Sequence, residues 1–275
     1  MARNRDDQRP AQPEIPFPAS LAERTARPES ERERGPRQLD DLRDSELQTL
    51  ADIGTFRTLA INDLAQLRYA GENAKANAEL RNLVQRGLLR VRKLHPSKAT
   101  YVALTRDGQS ALSRRRPAAS RQFYYSQFVK PRELRHDAAI YRLYQEVAAR
   151  IAREGGRVSR IVLDFELKKS INPGLAKLKS LPEPQQESQR QKIAADHGLT
   201  VVEGKIPLPD LRVEYETAER EQTKVDVELA TSDYHRNSLA AKARAGFSIY
   251  AMKEDMGPLR RAIADPELTK EIYSL

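Results

Sequence analysis

From Asp44 to Arg116 apolar residues recur first at helical and then at strand spacing. In "SELQTLADIGTF" (Ser45 to Phe56), Leu47, Leu50, Ala51 and Ile53 mark a helix that follows an Asp cap. "INDLAQLRYA" (Ile61 to Ala70) predicts a short second helix, and Gly71 breaks it. The third, Glu72 to Leu89, gathers Ala76, Leu80, Leu83 and Val84 on one face, with Gly87 as its C-cap. Leu88 to Thr105 reads as two extended runs joined by a turn at His95-Pro96-Ser97-Lys98. Arg106 to Arg116 closes the segment as a helix.

Further on, Arg132 to Gly156 predicts a long helix buried along Leu134, Ala138, Tyr141, Val147 and Ile151. Its His136-Asp137 pair lacks visible partners and reads as a cap or a surface pair. Arg157 to Ser170 reads as a strand and a charged segment. Ile171 to Gly198, with its Pro and Gln, reads as an insertion or a helical arm. Leu211 to Thr217 and Thr223 to Thr231 form two strands around an acidic turn. A helix (Asp233 to Phe247), a strand (Ser248 to Met252) and further helix complete the chain.

Two stretches lack this periodicity. Residues 1–38 are rich in Pro, Arg, Glu and Gln and bury too little to offset ordering entropy, so a disordered basic tail is expected. Residues 117–131 form a linker whose Phe123, Tyr124, Tyr125 and Phe128 suit docking one domain on another. The expected organisation is α+β: an N-terminal domain over 41–116 and an α/β domain over 132–275.

Composition narrows the partners. Among 275 residues, 48 Lys and Arg against 39 Asp and Glu give a net charge of +9, which favours an anionic partner. The absence of cysteine excludes disulfides, zinc fingers, iron–sulfur clusters and thiol nucleophiles. No apolar run reaches the roughly 18–20 residues of a membrane-spanning helix. The opening "MARNRDDQRPAQPEIPFPAS" lacks the apolar core of a signal peptide, so a cytoplasmic protein without membrane contact is expected.

Three helices, a hairpin and a closing helix resemble a winged helix-turn-helix, and "LRNLVQRGLLRV" followed by "YVALTRDGQSAL" resembles the core of winged-helix regulators. From Asp40 to Arg116 there are 14 Lys or Arg and 9 Asp or Glu. Double-stranded DNA is therefore the expected partner, with a homodimer left open. Asn73, Lys75, Asn77 and Arg81 are expected on the polar face of the third helix, where they would reach base edges. Arg90, Arg92, Lys93 and Lys98 load the wing for phosphate or minor-groove contact.

The second half resembles the restriction-endonuclease-like, or PD-(D/E)xK, fold. In that family an Asp opening one strand and acids on the next bind Mg²⁺ through oxygen, and the metal activates water against a phosphodiester. Pro209-Asp210 matches the first element and Asp226-Val227-Glu228 the second, with Asp226 and Glu228 on one strand face. The resemblance makes Asp210, Asp226 and Glu228 the candidate metal ligands, Mg²⁺ the cofactor, and Asp210, Glu228 and Lys242 the candidate catalytic set. Asp164 or Glu166 would add a carboxylate. The family's Lys two residues after the acid is missing, and Lys242 on the following helix would replace it. A non-catalytic domain with its acids on an exposed face is the competing reading.

From about Asp41 to Met252 the chain also resembles the plasmid replication-relaxation family. "LRHDAAIYRLY", "PDLRVE" and "VDVELATSDYHRNSLAAKARAGFSIY" carry the likeness, with Pro209, Asp210, Glu228, Arg236, Lys242 and Tyr250 at the motif positions. It implies a DNA-binding protein of a plasmid or mobile element acting in replication or transcription control. The alternative is a Mg²⁺-dependent endonuclease or nickase targeted by the winged helix.

Overall fold

The structure, a computed structural model, describes residues 41–94, 99–117, 120–131, 133–231, 236–263 and 272–275, without side-chain surroundings for 236–237 and 260–263. The expected tail and the 95–98 turn with Lys98 lie outside the described residues. The chain is a mixed α+β protein.

The first half runs α1 (Asp44–Thr55), β1 (Leu59–Ala60), α2 (Ile61–Arg68), α3 (Asn73–Gln85), β2 (Leu89–Lys93), β3 (Thr100–Leu104) and α4 (Arg106–Arg115). Its three strands are antiparallel in the order β1-β3-β2, with Leu59 opposite Val102 and Val91 on that residue's other side. The apolar stripes fold inward: Leu50, Ile53, Leu64, Leu80 and Leu83 are wholly buried. Gly87 ends α3 at φ +71°, and the next N–H, that of Leu88, reaches back to the carbonyl of Leu83 at 2.9 Å. Thr105 caps α4 by accepting from the N–H of Gly108 at 3.0 Å. A Cβ at Gly108 would lie 2.2 Å from the Leu88 carbonyl oxygen, so only glycine permits this approach.

A buried polar network fixes the three helices relative to one another. Glu79 on α3 accepts from the hydroxyls of Thr49 and Tyr69, both at 2.6 Å, and from Ser45 at 3.0 Å. Arg68 on α2 donates to Thr49 Oγ1 at 2.8 Å and to the Ser45 carbonyl at 2.9 Å. Such a network costs little while complete and becomes costly when one member is removed.

The second half runs α5 (Leu134–Arg153), β4 (Arg157–Leu163), α6 (Asp164–Leu178), α7 (Glu183–Asp196), β5 (Leu211–Glu216), β6 (Gln222–Ala230), α8 (Arg236–Arg244), β7 (Ser248–Ala251), α9 (Lys253–Ile263) and β8 (Ile272–Ser274). The sheet order is β4-β5-β6-β7-β8, antiparallel through β6 and parallel beyond it. The expected arm at 171–198 is helical, and its first helix begins back at Asp164 rather than at Ile171.

One hydrophobic cluster crosses from the first half into the second. It runs from Leu42 and Leu50 through Phe56 to Tyr141, Leu143 and Val147, and on to Val213 and Val227. Phe56 is the central contact, meeting Tyr141 edge-on at 5.2 Å and Tyr144 at 5.0 Å between ring centroids. The linker aromatics divide: Phe123 stays exposed, whereas Tyr125 packs inward. Tyr125 is buried with its N–H on the Gly54 carbonyl at 2.7 Å, and the Gln127 N–H reaches the Leu104 carbonyl at 2.8 Å. Gln122 completes the junction on the outer side of edge strand β4, where its amide accepts from the Ile161 N–H (2.9 Å) and donates to that residue's carbonyl (3.0 Å).

Candidate functional site

Two regions carry chemistry. On α3, Asn73, Lys75 and Arg81 are exposed, and on β2 so are Arg90, Arg92 and Lys93. The α3 face also exposes Ala74, Ala78, Asn82 and Gln85, residues that the sequence reading passed over. Asn77 corrects the expectation: it is 5% exposed and faces inward with its carbonyl oxygen unpartnered, so it does not belong to the polar face. Its helical phase lies beside Val84 and Leu80, which places it at the edge of the apolar stripe. The Arg92 guanidinium stacks over Phe128 at 4.5 Å, and Arg90 donates to Gln127 at 3.3 Å, so the docked linker orients both.

The second region is a crevice at the junction of the halves. Its apolar wall is Phe56, Ile140 and Leu163; its polar wall is Arg57, His136, Asp137, Asp164 and Asp210. Asp210 stands one residue before β5. Its Oδ2 accepts from the Leu229 N–H at 3.0 Å, and its own N–H donates to Glu228 Oε2 at 3.2 Å. Glu228, wholly buried on β6, meets Lys242 Nζ from α8 at 2.8 Å. Lys242 also donates to the Leu208 carbonyl and lies 5.6 Å from the centre of the Phe247 ring. Asp210 and Lys242, far apart in sequence, thus each meet Glu228.

The chain matches no family model and no curated protein.

The pair His136-Asp137, read from sequence as a cap or a surface pair, lines this crevice instead. His136 Nε2 lies 3.3 Å from Asp210 Oδ1. Burial alone would lower the imidazole pKa, but the hydrogen bond and charge of Asp210, helped by Asp137 and Glu228, hold it above the ordinary value. Asp137 Oδ2 lies 3.6 Å from Arg57 Nε but has no hydrogen bond, and burial raises its pKa to about 6 despite the arginine. Arg57 occupies the left-handed region at φ +66° and lies within 6 Å of the ring centres of Tyr125 (5.9 Å) and Phe165 (5.4 Å). Backbone strain of this sort persists only where its surroundings over-determine it.

Asp226 does not join Glu228 in one site. Both its oxygens are held by Arg212, at 2.6 and 2.9 Å, and Arg212 also donates to the carbonyls of His197 and Gly198. Asp226 is therefore half of a buried structural ion pair that ties β5 and β6 to the end of α7. Among the described residues no group of three or more His, Asp or Glu side chains is arranged to hold a metal ion. Asp210 and Glu228 remain as two adjacent carboxylates. Each of their four oxygens has a protein partner, Lys242 and the Asp210 N–H on Glu228, His136 and the Leu229 N–H on Asp210. Asp164 is engaged by Lys168 at 2.5 Å and Glu166 by Arg160. Arg236 opens α8, and its side chain lies outside the described residues. No helix among the described residues is long and apolar enough to cross a membrane.

Proposed function

We propose that the chain is a DNA-binding protein of a plasmid or mobile element, whose first half is a winged helix that engages double-stranded DNA. One observation carries this reading: the order helix, strand, helix, helix, strand, strand closes a β1-β3-β2 sheet and leaves Lys75, Arg81, Arg90, Arg92 and Lys93 exposed on α3 and β2. In such a module the third helix enters the major groove and the strands meet the backbone. The excess of cations over the whole chain favours the same partner. The resemblance to the replication-relaxation family supports a role in replication or transcription control. Fluorescence anisotropy with labelled duplexes across a salt series tests it; binding should weaken steeply with salt, and salt-independent or absent binding would overturn it.

A second reading, a Mg²⁺-dependent endonuclease or nickase, is favoured by the convergence of Asp210, Glu228 and Lys242. With the helical arm α6–α7 set aside as an insertion, the helix–strand–hairpin–helix–strand order of the second half supports a restriction-endonuclease-like domain. Asp210 and Glu228 would hold the cation, which would polarise a phosphodiester and acidify water. Lys242 compensates the Glu228 charge, and Asp210 keeps His136 oriented toward the crevice. Plasmid nicking by wild type with Mg²⁺, lost in Asp210→Asn, is the expected result; intact plasmid under conditions of tight binding would exclude cleavage.

A further inference from the structure

The reading above leaves one charged surface without a role. From Leu167 to Pro182 the chain carries Lys168, Lys169, Lys177 and Lys179 and no acidic residue. This stretch forms most of α6, an amphipathic helix whose Leu167, Ile171 and Leu178 are buried in a small cluster with Val162, Ala194 and Phe247. Lys169, Asn172, Ala176 and Lys179 recur at steps of three or four residues on the opposite, exposed face. Lys168 pairs with Asp164, whereas Lys169, Lys177 and Lys179 form no ion pair among the described residues. The companion helix α7 mixes Glu183, Glu187 and Asp196 with Arg190 and Lys192, and the two acids of α6, Asp164 and Glu166, are engaged by Lys168 and Arg160, which leaves the later part of α6 uniformly cationic.

A solvated surface helix usually mixes its charges and gains from pairing them along its own face. Here Lys169 and Lys179 stand without ion-pair partners on one face with Lys177 on its flank, and a polar Asn and a small Ala separate them, leaving space for a broad, uniformly anionic ligand. Phe165, at 48% exposure, stands at the N-terminal end of the same stripe. From Lys169 to Lys179 the helix rises about 15 Å, the axial length over which one strand of duplex presents about four phosphates. The helix begins at Asp164, which forms part of the crevice wall beside Asp210.

We propose that α6 is a second phosphate-binding surface, in which Lys169, Lys177 and Lys179 hold the backbone of duplex DNA already engaged by the first half and lead it toward the Asp210 crevice. The inference rests on the DNA-binding reading. It adds affinity without sequence selectivity, because phosphate contacts position and do not specify.

The test compares the full chain with Lys169→Gln/Lys177→Gln/Lys179→Gln and with a control that removes three exposed cations elsewhere, Lys205→Gln/Arg220→Gln/Lys253→Gln. Anisotropy is measured against random-sequence duplex over a salt series, and circular dichroism checks folding. The α6 variant should show a log–log salt slope shallower by about 2–3, near 0.9 per lost phosphate contact, while the control keeps the wild-type slope to within about 1. Equal slopes for the α6 variant and wild type, with Arg81→Ala still weakened, would overturn the inference and leave the winged-helix reading standing. Equal losses in both triple variants would reduce it to net charge. A wild type that binds no duplex would overturn both readings together.

Discussion

Lys242 Nζ lies 2.8 Å from Glu228 Oε1, and the carboxylate it serves is completely shielded from solvent. A charge so placed is tolerated only with its counter-charge present. Lys242→Met should therefore cost about 3–5 kcal/mol, because a buried charge loses its partner. Glu228→Gln/Lys242→Met removes both charges and should recover more than half of that loss. Urea denaturation measures both. A double variant as unstable as the single would show that packing around Lys242, not charge pairing, holds the site.

The exposed α3 cations should separate from their buried neighbour. Arg81→Ala is expected to cost about 1–3 kcal/mol of DNA affinity and to relax preference at one base pair. Arg92→Ala should weaken all duplexes alike and make the salt slope shallower by about 1. Asn77→Ala should leave DNA affinity unchanged, since that side chain faces the interior. Competition anisotropy with single-base variants of a selected site would decide among these outcomes.

Stability should rise on mild acidification. Burial raises the carboxyls of Asp52 and Asp137 to about 6 in the folded state. An acid with a raised folded pKa binds more protons folded than unfolded, so these two residues contribute less stability as pH rises from about 4 through 6. His136, also raised, contributes stability below its unfolded pKa that is lost as pH rises through the folded one. All three act in one direction, so the melting temperature should be higher near pH 5.5 than near pH 7.5. Asp52→Asn/Asp137→Asn should flatten that dependence; an unchanged profile would place its origin elsewhere.

Because one apolar cluster passes from Leu50 through Phe56 to Val227, calorimetry should record a single cooperative transition rather than two. Phe56→Ala should cost about 3–5 kcal/mol by leaving a cavity between Tyr141 and Tyr144. It should also split the transition if it uncouples the halves.

Much of this architecture was legible in the chain because local signals agreed with tertiary ones. The α3 stripe, the Gly87 stop and the β5–β6 hairpin each follow from periodicity and turn chemistry. The strands β1 and β8, of two and three residues, are too short for alternation to register. The 164–178 helix hid behind Lys168-Lys169 and Pro173, whose composition reads as irregular. Asp210, Glu228 and Lys242 could be joined through family resemblance, but Asp226 on the same strand face could not be told apart from Glu228. What separates them is Arg212, directly across the ladder from Asp226. His136 was set aside because its partner Asp210 lies on another element; the missing signal was long-range pairing. Asn77 misled because polarity alone does not fix which way a residue at the edge of a stripe turns.

The Phe56 contact has a geometrical corollary. Tyr141 and Tyr144 pack on it, and Gln122 is bonded to the edge of β4, so among the described residues the two halves meet through side-chain packing as well as through the chain that joins them. The span from the exposed face of α3 to the Asp210 crevice is thus set by a shared apolar core, and loosening that core would be felt at both ends. A substitution at Phe56 would therefore act as a spacer change, altering how far one surface stands from the other without touching either.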